Sequence, residues 1–244
     1  MDKQYESIYH TAEDTNWWFK TRQDFVYRYL VQQNVPSSGR ILDIGCGGGG
    51  LLSYLRDRGF INLFGIDLSP EAISFCTSRG LASVAIDDAQ HVNTMPNESF
   101  DIIIASDVLE HLEHASAAMR RWRELLKPSG KLIVFVPAYQ ALWSERDVLN
   151  KHVTRYTEKK LLMVAEAAGL SSVLSSYWNF FMFAPYALLL KLKKHTKNKI
   201  VEIQNKETAV NSMLKKILWI ENSLILHGAR FPFGVSFLAI FKKK

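Results

Sequence analysis

Two histidines in this sequence stand among carboxylates, an arrangement suited to moving a proton. "SDVLEHLEH" gathers Asp107, Glu110, His111 and His114, and "SERDVLNKHVTRYTEKKL" gathers Asp147, His152, Arg155 and Tyr156. An imidazole titrates near pH 6.5 when unperturbed, so it can take a proton from a nucleophile close to neutrality. His111 is the first candidate for such a general base. Each cluster also has a purely structural reading: Glu110 and His111 can cap and orient the next helix, and the second cluster can be a loop whose Thr157 caps the helix that follows.

A second kind of chemistry lies in "ILDIGCGGGGLL", residues 41–52, where five of the chain's 13 glycines fall between Gly45 and Gly50. Glycine alone reaches positive φ without a Cβ clash and lets another molecule approach the main chain. Gly45, Gly47 and Gly50 satisfy G-x-G-x-x-G between an apolar run and a helical pattern, the context that gives this spacing meaning. Asp67 follows in "GIDLSPEAI", at the end of the next apolar run, where a carboxylate accepts hydrogen bonds from both hydroxyls of a ribose. A ribose-bearing cofactor follows from the pair. Asp43, two residues before Gly45, would repel a pyrophosphate and suit an ammonium group instead.

These residues need a scaffold. Apolar runs at 40–44, 62–66, 82–86, 101–105 and 131–136 read as strands, and helices are predicted at about 48–58, 70–79, 113–126 and 157–168. Strands apolar on both faces and separated by helices indicate a parallel sheet covered on both sides. Ser69 and Pro70 read as the N-cap and first turn of the second of those helices. "TNWWFKTRQDFVYRYLVQQ" gives a further helix before Pro36. Strands at 171–178 and 234–241 bring the sheet to seven, with an insert of about 55 residues between them, far longer than an ordinary connection. The fold class is α/β, a doubly wound, mostly parallel seven-stranded sheet. Its parts are an N-terminal helical cap (1–36), a core (37–178), and a helical insert with the last strand (179–244).

The insert has its own character. "FFMFAPYALLL", residues 180–190, is apolar and interrupted by Pro185, shorter than the roughly 20 residues of a membrane span. "KLKKHTKNK" follows with five lysines, and a second helical pattern from Val210 to Leu224 ends at Gly228. Residues 1–150 hold 14 Lys and Arg against 19 Asp and Glu, and residues 151–244 hold 16 against 5. A basic half suits a nucleic acid, an anionic membrane surface or an acidic substrate. The lysines flank apolar stretches instead of alternating with stacking aromatics, which favours an interfacial segment or a lid over an apolar substrate above an RNA-binding surface; the other reading of 180–190 is a helix buried against the sheet. Two cysteines, Cys46 and Cys76, are too few for a disulfide framework, and the N-terminus lacks signal-peptide regions. The expectation is a reducing, cytoplasmic setting, with peripheral contact at the inner face of the membrane through 180–199.

From about residue 15 to 170 the sequence resembles the class I S-adenosylmethionine-dependent methyltransferases. "LDIGCGGGG" looks like their first motif and "GIDLSPEAI" like the ribose-binding one. "AIDDAQHVNTMPNESFDIIIASDVLEHLEH" is similar to the adenine and fourth-strand motifs, and "LKPSGKLIVFVP" to the fifth-strand motif. The resemblance implies S-adenosylmethionine as cofactor and S-adenosylhomocysteine as product. It makes Asp43, Gly45 and Gly47 neighbours of the methionine part, Asp67 the ribose ligand and Leu68 the residue packed on adenine. Asp88 and Ala89 would face the adenine amino edge, with Asp87 leaving a one-residue ambiguity, and Ser106 would lie near the transferable methyl. Trp18 and Arg22 either close over the cofactor or, for the aromatics, anchor the core.

The second histidine cluster is similar to a stretch beside the substrate pocket of bacterial small-molecule methyltransferases, which makes His152 the runner-up base and Arg155 and Tyr156 substrate contacts. Asp107-x-x-Glu110-His111 resembles the cluster of ubiquinone-type O-methyltransferases that can hold a divalent cation, with Asp where that family has Glu; no metal is assigned. "ASDV" follows the fourth strand where methyltransferases of base amino groups carry "NPPY" or "DPPY", so a DNA partner is not expected. The function implied is methyl transfer to a small-molecule or lipid-linked acceptor, at oxygen. The alternatives are an RNA methyltransferase and a cofactor-binding regulator without turnover.

Overall fold

The structure is a computed structural model that describes Glu13, residues 15–193 and residues 209–244; the lysines at 194–199 lie outside the described residues. Seven strands, β1 (Arg40–Ile44), β2 (Asn62–Asp67), β3 (Val84–Ile86), β4 (Phe100–Ser106), β5 (Leu126–Pro137), β6 (Leu170–Trp178) and β7 (Ser236–Lys243), form one sheet. Their order is β3-β2-β1-β4-β5-β7-β6. The pairs from β3 to β5 are parallel, and β7 runs antiparallel to both β5 and β6. The chain reverses order at β1, between β2 and β4, which is where open α/β sheets bind ligands at the carboxyl ends of their strands.

Eight helices accompany the sheet among the described residues: α1 (Trp17–Gln32), α2 (Gly50–Arg56), α3 (Pro70–Ser78), α4 (Ala115–Leu125), α5 (Glu145–Leu149), α6 (Glu158–Ala167), α7 (Phe180–Lys193) and α8 (Ala209–Leu226). Local chemistry sets several of their starts. The Asn16 side chain accepts from the Trp18 amide, Ser69 from Ala72 with Pro70 in the first turn, and Thr157 from Lys160. The predicted cap at Thr157 is therefore present. β5 begins five residues earlier than its apolar run: Leu126 pairs with Phe100 of β4, and the polar segment from Lys127 to Gly130 bulges out before Lys131 pairs with Ile102. α5 was not predicted; a capping box between Ser144 and Asp147 nucleates it.

The sheet is packed on both faces. On one, Trp122, Met119, Tyr156 and Leu161 meet Leu42, Ile103 and Val134. On the other, Phe25 and Leu30 of α1 and Leu218 and Ile225 of α8 cover Ile41, Ile104, Phe135 and Trp178. Burying each such aliphatic or aromatic side chain contributes about 1.5 to 3 kcal/mol. α8 thus belongs to the core layer beside α1. Asn222 fixes it there, accepting from the Trp178 indole at 2.8 Å and donating to the Thr21 carbonyl at 2.8 Å. α7 does not: none of the side chains at 180–190 is buried, so the reading of this segment as a helix buried on the sheet is overturned.

Candidate active site

The glycine loop follows β1 at the carboxyl edge of the sheet. Gly45 turns the chain at φ 70°, and its amide donates to the Ile66 carbonyl of β2 at 2.8 Å. A Cβ at Gly45 would stand 2.5 Å from the Val108 side chain beyond β4. Gly50 has a different reason. Its Cβ would lie 2.8 Å from the Glu13 carboxylate, which accepts from the amides of Gly48 at 3.1 Å and Gly50 at 2.9 Å. The loop therefore accommodates the N-terminal segment as well as its own turn. Asp67 ties the loop to β2: its carboxylate accepts from the Gly47 amide at 3.0 Å and from Ser69 at 2.9 Å.

Glu13, Phe19, Arg22, Gln23, Asp43, Gly45, Gly47 and Ser106 are among the residues that line the cleft beside this loop. Asp43 is buried, and burial together with the charges of Glu13 and Asp67 pushes its pKa up to about 8 despite Arg22. Three carboxylates thus meet at this end of β1. Arg22, buried in α1, pairs with Asp107 just past β4, joining the N-terminal helix to the loop that carries the histidines. Such a cleft repels a pyrophosphate and attracts a cationic group. Ser106 points a buried hydroxyl without a hydrogen-bond partner toward the same space.

Farther along the edge, the Asp87–Asp88 ambiguity resolves. Asp87 is buried and accepts from the amide and hydroxyl of Thr94, so it braces the loop after β3. Asp88 accepts from the Gln90 amide and keeps its side chain 45% exposed, the more available of the two to a ligand. Leu68 is 71% exposed at the end of β2, and the Ala89 carbonyl receives the Trp122 indole at 2.7 Å. Trp18 stacks edge-on against Trp178, 5.3 Å between centroids, and packs on the core; this is the anchoring role.

The histidines meet although they are 41 positions apart in the chain. Their rings are perpendicular with centroids 4.7 Å apart. Asp147, fully buried, sits 2.8 Å from Nδ1 of His152 and receives the Arg155 fork at 2.8 and 2.9 Å. Against the cost of burial, hydrogen bonds from His152 and Arg155 hold its carboxyl well below the usual range. A carboxylate only accepts, so Nδ1 carries a proton, and in the neutral imidazole Nε2 has the lone pair that can receive one. That nitrogen lies 3.9 Å from Glu110, a fully buried carboxyl with no hydrogen-bond partner on either oxygen among the described residues. Burial, and then Asp107, pushes Glu110 well above the carboxylate range, while burial and His152 lower His111.

Residues 18–175 match the family described as Methyltransferase domain. The chain belongs to the class I S-adenosylmethionine-dependent methyltransferases. The chain is 37% identical over 111 residues to a ubiquinone biosynthesis O-methyltransferase of Xanthomonas axonopodis pv. citri, covering 43% of this chain and 46% of that one. It is 30% identical over 134 residues to phosphoethanolamine N-methyltransferase 1 of Arabidopsis thaliana, covering 53% and 26%. The methyltransferase thus spans less than half the length of these relatives. Among solved structures, a Haloferax volcanii methyltransferase in complex with the Trm112 activator superposes with TM-score 0.64 at 16% identity, over 99% of this chain and 95% of that one. A geranyl diphosphate methyltransferase in complex with its cofactor gives 0.62 at 11% identity, over 91% and 84%.

The S-adenosylmethionine of this family fits the residues present: a buried acidic floor for its cationic methionine end, Asp67 for the ribose, and in the same cleft a buried Ser106 hydroxyl with no hydrogen-bond partner among the described residues. Two readings from the sequence need correction in the methyltransferase. Tyr156 is 1% exposed and its hydroxyl donates to the Leu109 carbonyl, so it props the turn at Leu109–His111 from within the core and faces no substrate. Arg155 is likewise buried, spent on Asp147 and the Ala138 carbonyl. Glu13 is the residue that sequence reasoning missed; nothing in its spacing marks it, because its position over the loop arises only when α1 docks. The donor atoms of Glu110, His111 and His152 lie within 4.8 Å of one another, whereas Asp107, first in the cation-binding resemblance, is paired with Arg22.

Proposed function

We propose that the protein transfers a methyl group from S-adenosylmethionine to an oxygen of a small or lipid-linked acceptor. The observation that carries this reading is His152, oriented by a buried, ionised Asp147 and presenting Nε2 3.9 Å from Glu110 in the turn that follows β4. S-adenosylmethionine supplies a methyl group already activated by its sulfonium charge. Asp43, with the loop backbone at Gly45 and Gly47, holds the methionine end, and Asp67 holds the ribose. His152 Nε2 takes the proton from an acceptor hydroxyl, and Asp147 stabilises the imidazolium that forms. Arg155 keeps Asp147 charged through that step. The Arg22–Asp107 pair ties α1 across the cleft and restricts water. A divalent cation held by Glu110, His111 and His152 would be an alternative to this base, occupying Nε2 and polarising the acceptor oxygen in its place.

The relative named for ubiquinone O-methylation supports oxygen; the one named for phosphoethanolamine N-methylation makes nitrogen the competitor. Methyl-labelled cofactor incubated with a lipid extract, a catechol, phosphoethanolamine and RNA separates them. Label in an ether of the lipid extract or catechol is the expected result. Label confined to phosphoethanolamine or RNA overturns the acceptor assignment, and label in none of them favours a regulator.

A further inference from the structure

Among the described residues, the insert leaves an apolar surface uncovered. α7 carries no charged residue from 180 to 190, and none of those side chains is buried: Phe181, Leu188 and Leu189 are 46%, 58% and 53% exposed. A helix apolar on all sides is ordinarily enclosed by protein or lipid. α8 reverses the usual amphipathic order. Its inward face holds Glu221 and Asn222 beside Leu218 and Ile225, whereas Met213, Trp219 and Ile220 on its outward side are each more than half exposed. The helices meet where the Phe180 amide donates to the Glu221 carboxylate at 3.1 Å.

We infer that the outward sides of α7 and α8 dock this protein peripherally on an anionic lipid bilayer. Charge selects this occupant. Lys215 and Lys216 are exposed among the apolar residues of α8, and Arg28 lies 4.8 Å over the Trp219 ring. Five lysines follow the apolar run of α7 in the sequence, between 191 and 199. The one acidic residue of α8 faces inward and is already bonded, and α7 has none. A second copy would bring lysine against lysine, whereas anionic headgroups neutralise them and the interface takes the Trp, Leu and Phe side chains. No helix among the described residues is long and apolar enough to cross a membrane, so the docking is on the surface. α7 starts at the carboxyl end of β6, the edge that carries the cofactor cleft, so docking brings the cleft's rim toward the lipid. The proposal does not depend on which acceptor atom is methylated.

Flotation with vesicles of phosphatidylcholine alone and of phosphatidylcholine with 30–40% phosphatidylglycerol (about one anionic lipid in three) tests it. The full chain is expected to float with the anionic vesicles only, about tenfold less at 0.5 M salt than at 0.1 M. Leu188→Asp with Leu189→Asp, and separately Trp219→Asp with Ile220→Asp, are each expected to cut flotation about tenfold. S-adenosylhomocysteine binding by each variant verifies the fold. Wild type that stays unbound, floats equally with neutral vesicles, or loses nothing in the folded variants overturns the proposal. A dimer in solution that the same variants dissociate assigns the surface to a second copy instead.

Discussion

Affinity for S-adenosylhomocysteine should rise with pH up to about 8 and then level off. Asp43 lines the cleft with its pKa pushed to about 8 by burial, Glu13 and Asp67, so at pH 7 the ligand-free protein mostly holds a proton there. A ligand with a cationic amino group binds the charged carboxylate, and the proton must leave first. Below pH 8 the coupling approaches tenfold in affinity per pH unit, and calorimetry in buffers of different ionisation enthalpy should show proton release approaching one per ligand. Asp43→Asn should bind weakly and without this slope. Glu13→Gln, which removes one of the charges that raise the pKa, should move the inflection to lower pH. The sign for stability is opposite to that for binding. A carboxyl with a folded pKa above its unfolded value of 3.8 favours the fold below that value, and the advantage is lost as pH rises through about 8. The empty protein should therefore melt lower at pH 8 than at pH 6 by more than Asp43→Asn does. A flat affinity profile in wild type would contradict this account of the cleft.

Replacing His152 with Ala should lower kcat by roughly 10² to 10⁴, the usual range for a general base, with S-adenosylhomocysteine affinity unchanged. Asp147→Asn should also lower kcat strongly, because an amide no longer fixes the proton on Nδ1 or stabilises the imidazolium. His111→Ala should cost less, since His111 lacks the buried ionised carboxylate that His152 has and its pKa is already lowered by burial. Chelation with EDTA should leave the wild-type rate in place. If His152→Ala turns over within a few-fold of wild type, or EDTA abolishes the rate, His152 is not the base, and the set of Glu110, His111 and His152 acts as a metal centre.

The sheet was legible because its strands are short apolar runs with helical patterns between them, and the seven strands fall close to those runs. What escaped was decided by tertiary contact. β5 starts in "LKPSG", where Leu126 alone pairs with β4 and the polar residues after it bulge out of the register. For α7 the sequence left two readings open, a buried helix and an exposed interfacial segment, and only the packing, with none of its side chains at 180–190 buried, decides between them. In the site, Asp43 and Arg22 were found by charge and position and do line one cleft. His152 ranked second because adjacency along the chain favoured His111; the orienting Asp147 is recognisable only once α5 places it 2.8 Å away. Tyr156, a polar aromatic next to a histidine, reads as a substrate contact in one dimension and as a buried prop in three.

The central claim is that the acidic cleft, with Asp67 beyond it, receives S-adenosylmethionine. Titrating S-adenosylhomocysteine into wild type and Asp67→Ala at pH 8 by calorimetry tests it most directly. The account predicts one site, on the order of micromolar, weakened about tenfold or more in Asp67→Ala, a difference of about 1.4 kcal/mol or greater. Folded wild type that binds no S-adenosylhomocysteine would contradict it.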